Sequence, residues 1–471
     1  MTQSENPGAL HAAPPPPHVR DASGHLDTVF VAHVEAALDT RDAAVVRELA
    51  GNLHDADMGD LLEMLREDDR VHLIQLLGEE FDFAALTETE EPVRAQVLDA
   101  LPDGDVVEGI GELESDDAVY LLEDMEQEEQ DKILAQLPNV DQVQIKRALE
   151  FPEDSAGRIV QTDFIAVPPF WTVGQVIDHL RSSKDLPDSF YELYVVDPGF
   201  RLLGAVALDQ LLRTKRSKKI SKIMEETRHS VLVTDDQEDV ARLFERYNLV
   251  SVAVTDTAER LVGIVTVDDI VDVIQEEAEE DMLAMAGVGD EEISDSVLEI
   301  ARSRLSWLSV NVFTAIFAAF VISLFSATIE RMVALAVLMP IVASMGGNSG
   351  TQTMAVTVRA IATQELNRRN ILRVLRRELL VGLINGVGLG FLIGAIAGGW
   401  FLNPELGVVI GSSILINSIC AGLFGLLVPM GLEKIGVDPA IASSVFVTTI
   451  TDVVGFFTFL FLAAWWFGLP Y

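Results

Sequence analysis

The sequence predicts a multidomain membrane protein: an all-α helical N-terminal solenoid, an α/β domain built from a tandem repeat, a connecting acidic helix, and a five-helix transmembrane domain. Three observations lead there. The 471 residues are 49% hydrophobic yet carry a formal net charge of −41, too long for one domain and too apolar to be soluble throughout. Charge also segregates: from Ala301 onward ten Lys or Arg stand against seven Asp or Glu, which leaves 23 basic and 67 acidic side chains, net −44, on residues 1–300. Finally, two short β-branched runs recur at a constant offset of 59 residues.

So acidic a front repels nucleic acid and anionic lipid and attracts cations. Residues 1–25, with Pro14 to Pro17, read as a disordered tail, and no secretory signal leads the chain. Residues 26–151 read as an acidic helical domain. Leu53, Leu65 and Leu77 recur every twelve residues, and Leu101, Leu113, Met125 and Leu137 keep that register. Such short helix pairs bury their apolar faces only by stacking. Asp55, Asp103, Asp116 and Asp141 are expected as N-caps.

Residues 152–276 hold the repeat. Tyr194 to Asp197 followed by Leu202 to Val206 matches Val252 to Asp256 followed by Leu261 to Val265. Each strand pair is followed by an amphipathic helix, Leu208 to Leu212 or Asp268 to Ile274, and preceded by another, Val173 to Leu180 or Asp239 to Tyr247. This arrangement resembles a tandem of cystathionine-β-synthase (CBS) repeats. The resemblance implies adenine-nucleotide binding through a Thr and an Asp just after the second strand. Thr266 and Asp269 stand there in the second repeat, but Ala207 and Gln210 in the first, so at most one ATP site is expected. A pair used only for dimerisation and cation binding is the alternative.

Residues 277–304 are expected to continue as one acidic connecting helix. Residues 305–471 then contain five apolar spans, Trp307–Thr328, Val333–Val358, Leu379–Leu402, Leu406–Leu432 and Ala440–Phe467, each long enough to cross a hydrocarbon core of about 30 Å. Arg359, Arg368, Arg369, Arg373, Arg376 and Arg377 between the second and third spans, with Arg302 and Arg304, put these segments and the acidic front in the cytoplasm. An odd number of spans leaves Tyr471 outside. The lone Cys420, inside a span, allows no disulfide framework.

Two features of the spans carry chemistry. Between Pro340 and Gln352 the second span collects Gly346, Gly347, Asn348, Ser349, Gly350, Thr351 and Gln352, polar groups that lipid cannot satisfy. A water-filled path lined by Gly346, Gly347, Asn348 and Thr351 is expected; a helix-packing face of the GxxxG kind is the alternative. Asp452 lies well inside the fifth span, where an ionised carboxylate is costly unless it faces water or a cation. It is read as the one acid there, which leaves no partner for a paired-carboxylate protease. Two copies of Asp452 about a dimer axis would instead share a pore, and oxygen-only surroundings suit a hard cation. Hydrogen bonding of Asp452 to the neighbouring threonines is the alternative. No GxxxxGK[ST] phosphate loop is present.

The acidic helical domain, the CBS pair, the acidic linker, five spans, the Gly346 to Gln352 signature, and Asp438-Pro439 followed by Phe446 to Asp452 together resemble the MgtE family of magnesium channels and transporters. The resemblance implies a homodimer in the cell (inner) membrane with a central pore, Asp452 holding a hydrated Mg²⁺, and the Asn348 region lining the path. It also implies closure by cytosolic Mg²⁺ at sensor acids that fall on Asp116, Asp269, Asp272, Glu277, Glu280, Asp281 and Asp438. Two departures stand out. Tyr120 replaces a frequent sensor acid, and Ser444-Val445 replaces a common Gly-Pro, a change expected to stiffen the fifth span. The expected function is passive Mg²⁺ uptake without enzyme activity, with ATP as a regulatory ligand. The rivals are a Mn²⁺ or Co²⁺ transporter and a membrane-tethered nucleotide sensor.

Overall fold

The computed structural model describes residues 18–470 apart from positions 124, 126, 184, 185, 188, 227, 228, 289–296, 367 and 368. The chain divides into two compact units, Met1–Ile274 and Gln275–Tyr471.

Among the described residues the first unit opens with nine short α-helices: α1 Thr28–Thr40, α2 Ala43–Ala50, α3 Asp55–Met64, α4 Glu67–Leu77, α5 Glu91–Ala100, α6 Asp103–Glu112, α7 Ser115–Glu123, α8 Gln127–Leu134 and α9 Asn139–Leu149. Elements two apart in sequence touch, α2 with α4, α6 with α8 and α7 with α9, which is how a stack of short helix pairs closes its core. Leu65, Leu77, Leu101 and Leu137 of the twelve-residue register are buried in one continuous core, with Leu53, Leu113 and Met125 packed at its edge. The N-cap expectation needs correcting. His54, Pro102 and Pro138 occupy the cap positions of α3, α6 and α9, and Asp55, Asp103, Asp116 and Asp141 lie in first turns. There they oppose the positive end of the helix dipole rather than cap it.

Next come two three-stranded sheets with the same order. β1 Ala166–Val167 runs parallel to β2 Glu192–Val196, which is antiparallel to β3 Leu202–Ala207; β4 Ser230–Leu232, β5 Ser251–Thr255 and β6 Leu261–Thr266 repeat the pattern. Tyr194 faces Ala205 in one sheet and Ala253 faces Ile264 in the other, so the register keeps the sequence offset. The helices α10 Val173–Ser182, α11 Leu208–Arg213 and α12 Gln237–Tyr247 flank them. A buried cluster of Tyr194, Val196, Ala253, Leu261 and Ile264 joins the sheets, and the Tyr194 hydroxyl meets the Ser251 hydroxyl at 2.9 Å.

The helix after β6, α13 Val267–Ala286, ends within the second unit. Gly287 has φ 73, its N–H donates to the Ala284 carbonyl, and the Val288 N–H donates to that of Leu283. This paired closure stops the helix, because only a residue tolerant of positive φ fits the turn. The expected single helix over 277–304 is therefore interrupted: helix resumes at Val297, and part of the intervening stretch lies outside the described residues.

The second unit continues with α14 Val297–Ser323, α15 Ser326–Arg331, α16 Ala334–Ala362, α17 Ile371–Trp400, α18 Pro404–Lys434 and α19 Pro439–Phe467. Among the described residues four stretches are long and apolar enough to cross a membrane: Ile300–Ser323, Ile371–Trp400, Pro404–Lys434 and Ser444–Phe467. The 29-residue α16 is long enough, but Gly346 to Gln352 dilute its apolarity and it is not among them. Helices α17 and α18 meet along glycines. A Cβ on Gly390 or Gly394 would stand 2.6 Å from the carbonyl oxygen of Gly411 or Gly407, so the two backbones are in direct contact. The fifth expected span is one unbroken helix through Ser444 and Val445, and Val445 is buried.

Candidate functional site

Acids gather where the helical domain meets the second sheet. Ser115, at the start of α7, accepts the Thr162 N–H at 2.8 Å and donates to the Val160 carbonyl at 3.3 Å, while Gln161 donates to Glu114. These bonds bring Glu114, Asp116 and Asp117 up to Asp269 on α13. Asp116 is pushed well above the usual carboxylate range by burial and then by the charge of Asp269, and its Oδ1 has no hydrogen-bond partner. Burial and then Asp269 also push Asp117 to about 7, and burial foremost pushes Asp269 to about 6 despite its hydrogen bond from Thr266. Each group is held where its ionised form lacks a counter-charge, and a divalent cation would supply one. One turn along α13, Asp272 raises Glu88 after burial has done so. Among the described residues no three His, Cys, Asp or Glu are already arranged around a common metal position. The geometry is that of crowded carboxylate pairs.

Of the expected sensor acids, then, Asp116, Asp269 and Asp272 come together, joined by Glu114, Asp117 and Glu88, which sequence reasoning missed. The run Glu114-Ser115-Asp116-Asp117 was the available signal. Tyr120 is no vacant acid position, since the Arg94 guanidinium stacks over its ring at 4.4 Å.

In the second unit, burial and then Asp438 raise the carboxyl of Asp281. One turn on, Ala284 is buried with Met354 and Val358 of α16 and with Ala440 and Val447 of α19. The end of the acidic helix thus rests on both helices that carry the intramembrane polar residues. Glu277 and Glu280 share that acidic stretch.

Within the spans, α16 has two faces. Leu338, Val342, Gly346, Gly350, Thr353 and Thr357 are buried, whereas Ser344, Asn348, Thr351 and Gln352 are exposed. Gly346 is therefore not on the open polar face, as the sequence reading had it; it is turned against Asn417 of α18. Gly347, beside which an added Cβ would meet nothing within 4 Å, borders the open face with Asn348 and Thr351. Asp452 is half-buried on α19 one helical turn after the exposed Thr448. Its threonine neighbours turn elsewhere, Thr449 to the Val445 carbonyl and Thr451 to that of Thr448. By length and apolarity the third candidate span begins at Ile371 rather than Leu379, and so takes in a second acid near its arginine-rich start. Glu378 lies in α17 with its side chain 12% exposed, paired with Arg377 at 3.0 Å and 3.5 Å from the Thr353 hydroxyl. That ion pair makes it an anchor, neutralised in place.

Thr266 and Asp269 engage each other. The Thr266 N–H and hydroxyl both donate to Asp269 Oδ2, at 3.2 and 2.5 Å, so each group satisfies the other. Neither lines a cavity among those described. A cavity of about 440 Å³ does open between the two repeats, but Glu192, Asp209, Glu225 and Glu226 line it and no Lys or Arg is among its described lining.

The family model described as a divalent cation transporter matches residues 339–462; those for the MgtE intracellular N domain and the CBS domain match 53–154 and 220–276. The chain is 37% identical to a magnesium transporter MgtE of Enterococcus faecalis over 68% of this chain and 71% of that one. It is 31% identical to the magnesium transporter MgtE of Thermus thermophilus over 93% of this chain and 98% of that one. It is also similar to the cytosolic domain of the Mg²⁺ channel MgtE solved in complex with ATP, at 28% identity and TM-score 0.48, covering 52% of this chain and 99% of that one. Polar stripe, crowded acids and matched domains agree, and the chain belongs to the MgtE family of magnesium transporters.

Proposed function

We propose that this protein is a homodimeric channel that admits Mg²⁺ passively into the cytoplasm and is closed from inside by the ion it conducts. The observation that carries this reading is the pairing of an open polar face on α16 with a half-buried Asp452 on α19, in a unit whose other long helices are apolar. Five crossings, α14 and α16 to α19, leave Tyr471 outside and residues 1–304 in the cytoplasm, as tail (1–25), helical domain (26–151), CBS pair (152–276) and connecting segment (277–304). Asp452, Asn348, Gly347 and Thr351 act on the permeating ion. Asp116, Asp269, Asp272, Glu277, Glu280, Asp281 and Asp438 act in closure. A membrane potential of about 100 mV contributes roughly 4.6 kcal/mol to entry of a divalent ion, so no ATPase is required. ATP as a regulatory ligand at Thr266 and Asp269 is a separate expectation that this gating does not require. Oxygen-only lining favours hard cations such as Mg²⁺ over Co²⁺, which gains more from His or Cys ligands; Mn²⁺ shares the oxygen preference, so flux of Mg²⁺ against Mn²⁺ is the comparison that separates that rival. Mg²⁺ entry into proteoliposomes of the purified full-length chain, followed with an internal dye, tests the reading; vesicles that stay dark with an inward Mg²⁺ gradient and potential overturn it.

The acid cluster gives a pH prediction. Asp116, Asp117 and Asp269 have carboxyls raised above their exposed values, so docking of α7 on α13 takes up protons. Docking is weakest at high pH, where the carboxyls are ionised, and strengthens as pH falls through about 7 for Asp117 and about 6 for Asp269 toward the exposed value near 3.8. Hydrogen exchange on the full-length chain without divalent ions is expected to show greater protection of Ser115–Glu123 at pH 6 than at pH 8, after correction for intrinsic rates. Millimolar Mg²⁺ at pH 8 is expected to reproduce it. Equal protection under all three conditions would remove the cluster from the gate.

A further inference from the structure

We propose that Asn417 is a positioning residue for the permeation path: it locks α16 and α19 together at the level of Asn348 and Asp452, and thereby sets the geometry that discriminates between divalent ions. The inference rests on the pore reading above. Asn417 is 1% exposed in the middle of α18, in the otherwise apolar run Ile414 to Ile419 broken only by Asn417 and Ser418. Its amide Nδ2 donates to the Val342 carbonyl of α16 at 3.1 Å. A Cβ on Gly346 would overlap that amide nitrogen, and a Cβ on Gly455 of α19 would come within 2.7 Å of it. One side chain therefore fills a slot made by two glycines on two different helices. Gly346 lies two residues before Asn348, and Gly455 lies three after Asp452.

An asparagine is an expensive way to fill this slot. Its Oδ1 is buried with no hydrogen-bond partner, as is the Ser413 hydroxyl one turn before it. An unsatisfied acceptor in a span weakens packing that a leucine of the same branched outline would not disturb. The amide donor is what a leucine lacks. It adds a directed bond from α18, which is fixed to α17 by glycine contacts, to the helix that carries the open polar face. Removing it leaves both pore helices free to shift by a fraction of an ångström about an ion that demands near-ideal octahedral geometry.

The test compares four full-length variants in proteoliposomes at matched amounts of monodisperse protein. Asn417→Leu keeps the outline and removes the donor; it is expected to lower Mg²⁺ flux about tenfold and to lower the ratio of Mg²⁺ to Ca²⁺ permeation. Gly346→Ala is expected to lose most flux by collision with Asn417. The double variant Gly346→Ala with Asn417→Ala relieves that collision without restoring the donor, and is expected to remain as unselective as Asn417→Leu. Wild-type flux and selectivity in Asn417→Leu, or in the double variant, would mean that Asn417 only fills space and would overturn the proposal. Asp452→Ala run in parallel separates this from the larger reading: if it conducts like wild type, the pore assignment has failed, whatever Asn417 does.

Discussion

Asp452→Ala is expected to abolish Mg²⁺ flux while leaving the protein folded. Among the described residues of the candidate spans, Glu378 lies near the arginine-rich start of α17 and is already paired with Arg377, and Glu405 and Glu433 lie at span ends, so nothing else supplies a free negative charge at the depth of Asp452. An ion leaving water for a path through a hydrocarbon core of about 30 Å needs a compensating charge or dipole along the way. On α19 the nearby Thr449 and Thr451 hydroxyls are committed to backbone carbonyls. Because Asp452 is half-buried rather than fully enclosed in the bundle, its removal is expected to cost little stability. Flux into proteoliposomes, with folding followed by chromatographic profile, checks both halves. Unchanged conduction in the Ala variant refutes the pore assignment; Asp452→Glu is expected to keep part of the activity.

The second large effect is expected at the inner gate. Neutralising Glu277, Glu280 and Asp281 together should give a channel that no longer closes at millimolar cytosolic Mg²⁺. Asp281 feels Asp438, and Ala284 one turn on is buried against α16 and α19, so a cation held between these acids would press the helix end onto both pore helices. Neutralisation also removes a repulsion, about 4 kcal/mol gross for two charges some 4 Å apart at an effective dielectric of about 20. The divalent bridge that it forfeits is about four times larger before dehydration, which is why loss of closure wins. A gate moved from 1:99 to 99:1 needs only about 5.5 kcal/mol of differential binding, so several weak sites suffice. Patch recordings with Mg²⁺ varied on the cytoplasmic face decide the matter, and an undiminished closing response in the triple variant would mean these acids are a solvated helix face.

Periodicity made much of the fold legible. The offset of 59 residues reappears as identical strand registers, and the twelve-residue leucine spacing as one buried core, because both patterns are local consequences of burial. Helix ends were read less well. Asp55 and Asp103 looked like caps but sit one place inside their helices, since the preceding His54 and Pro102 already take the extended conformation that a cap requires. The break at Gly287 was hidden by the acidic run before it. In the site, Asp116, Asp269 and Asp281 were legible as acids near acids, but which face of α16 Gly346 occupies depends on a partner 71 positions away, Asn417. Composition alone could not distinguish a glycine that lines a path from one that admits a neighbour.

The glycine contacts between α17 and α18 bear on how the membrane unit is made. A turn of three residues, Phe401 to Asn403, joins the two helices, and their contact runs from Gly398 with Gly407 back through Gly390 with Gly411 to Gly382 with Ser418. The atoms nearest each glycine of that seam all belong to α17, α18 or the turn that joins them. The hairpin can therefore close as soon as its second helix leaves the ribosome, before the helix bearing Asp452 has been synthesised. The polar stripe of α16, already made by then, gains a preassembled wall to rest on while it waits for α19 to complete the path.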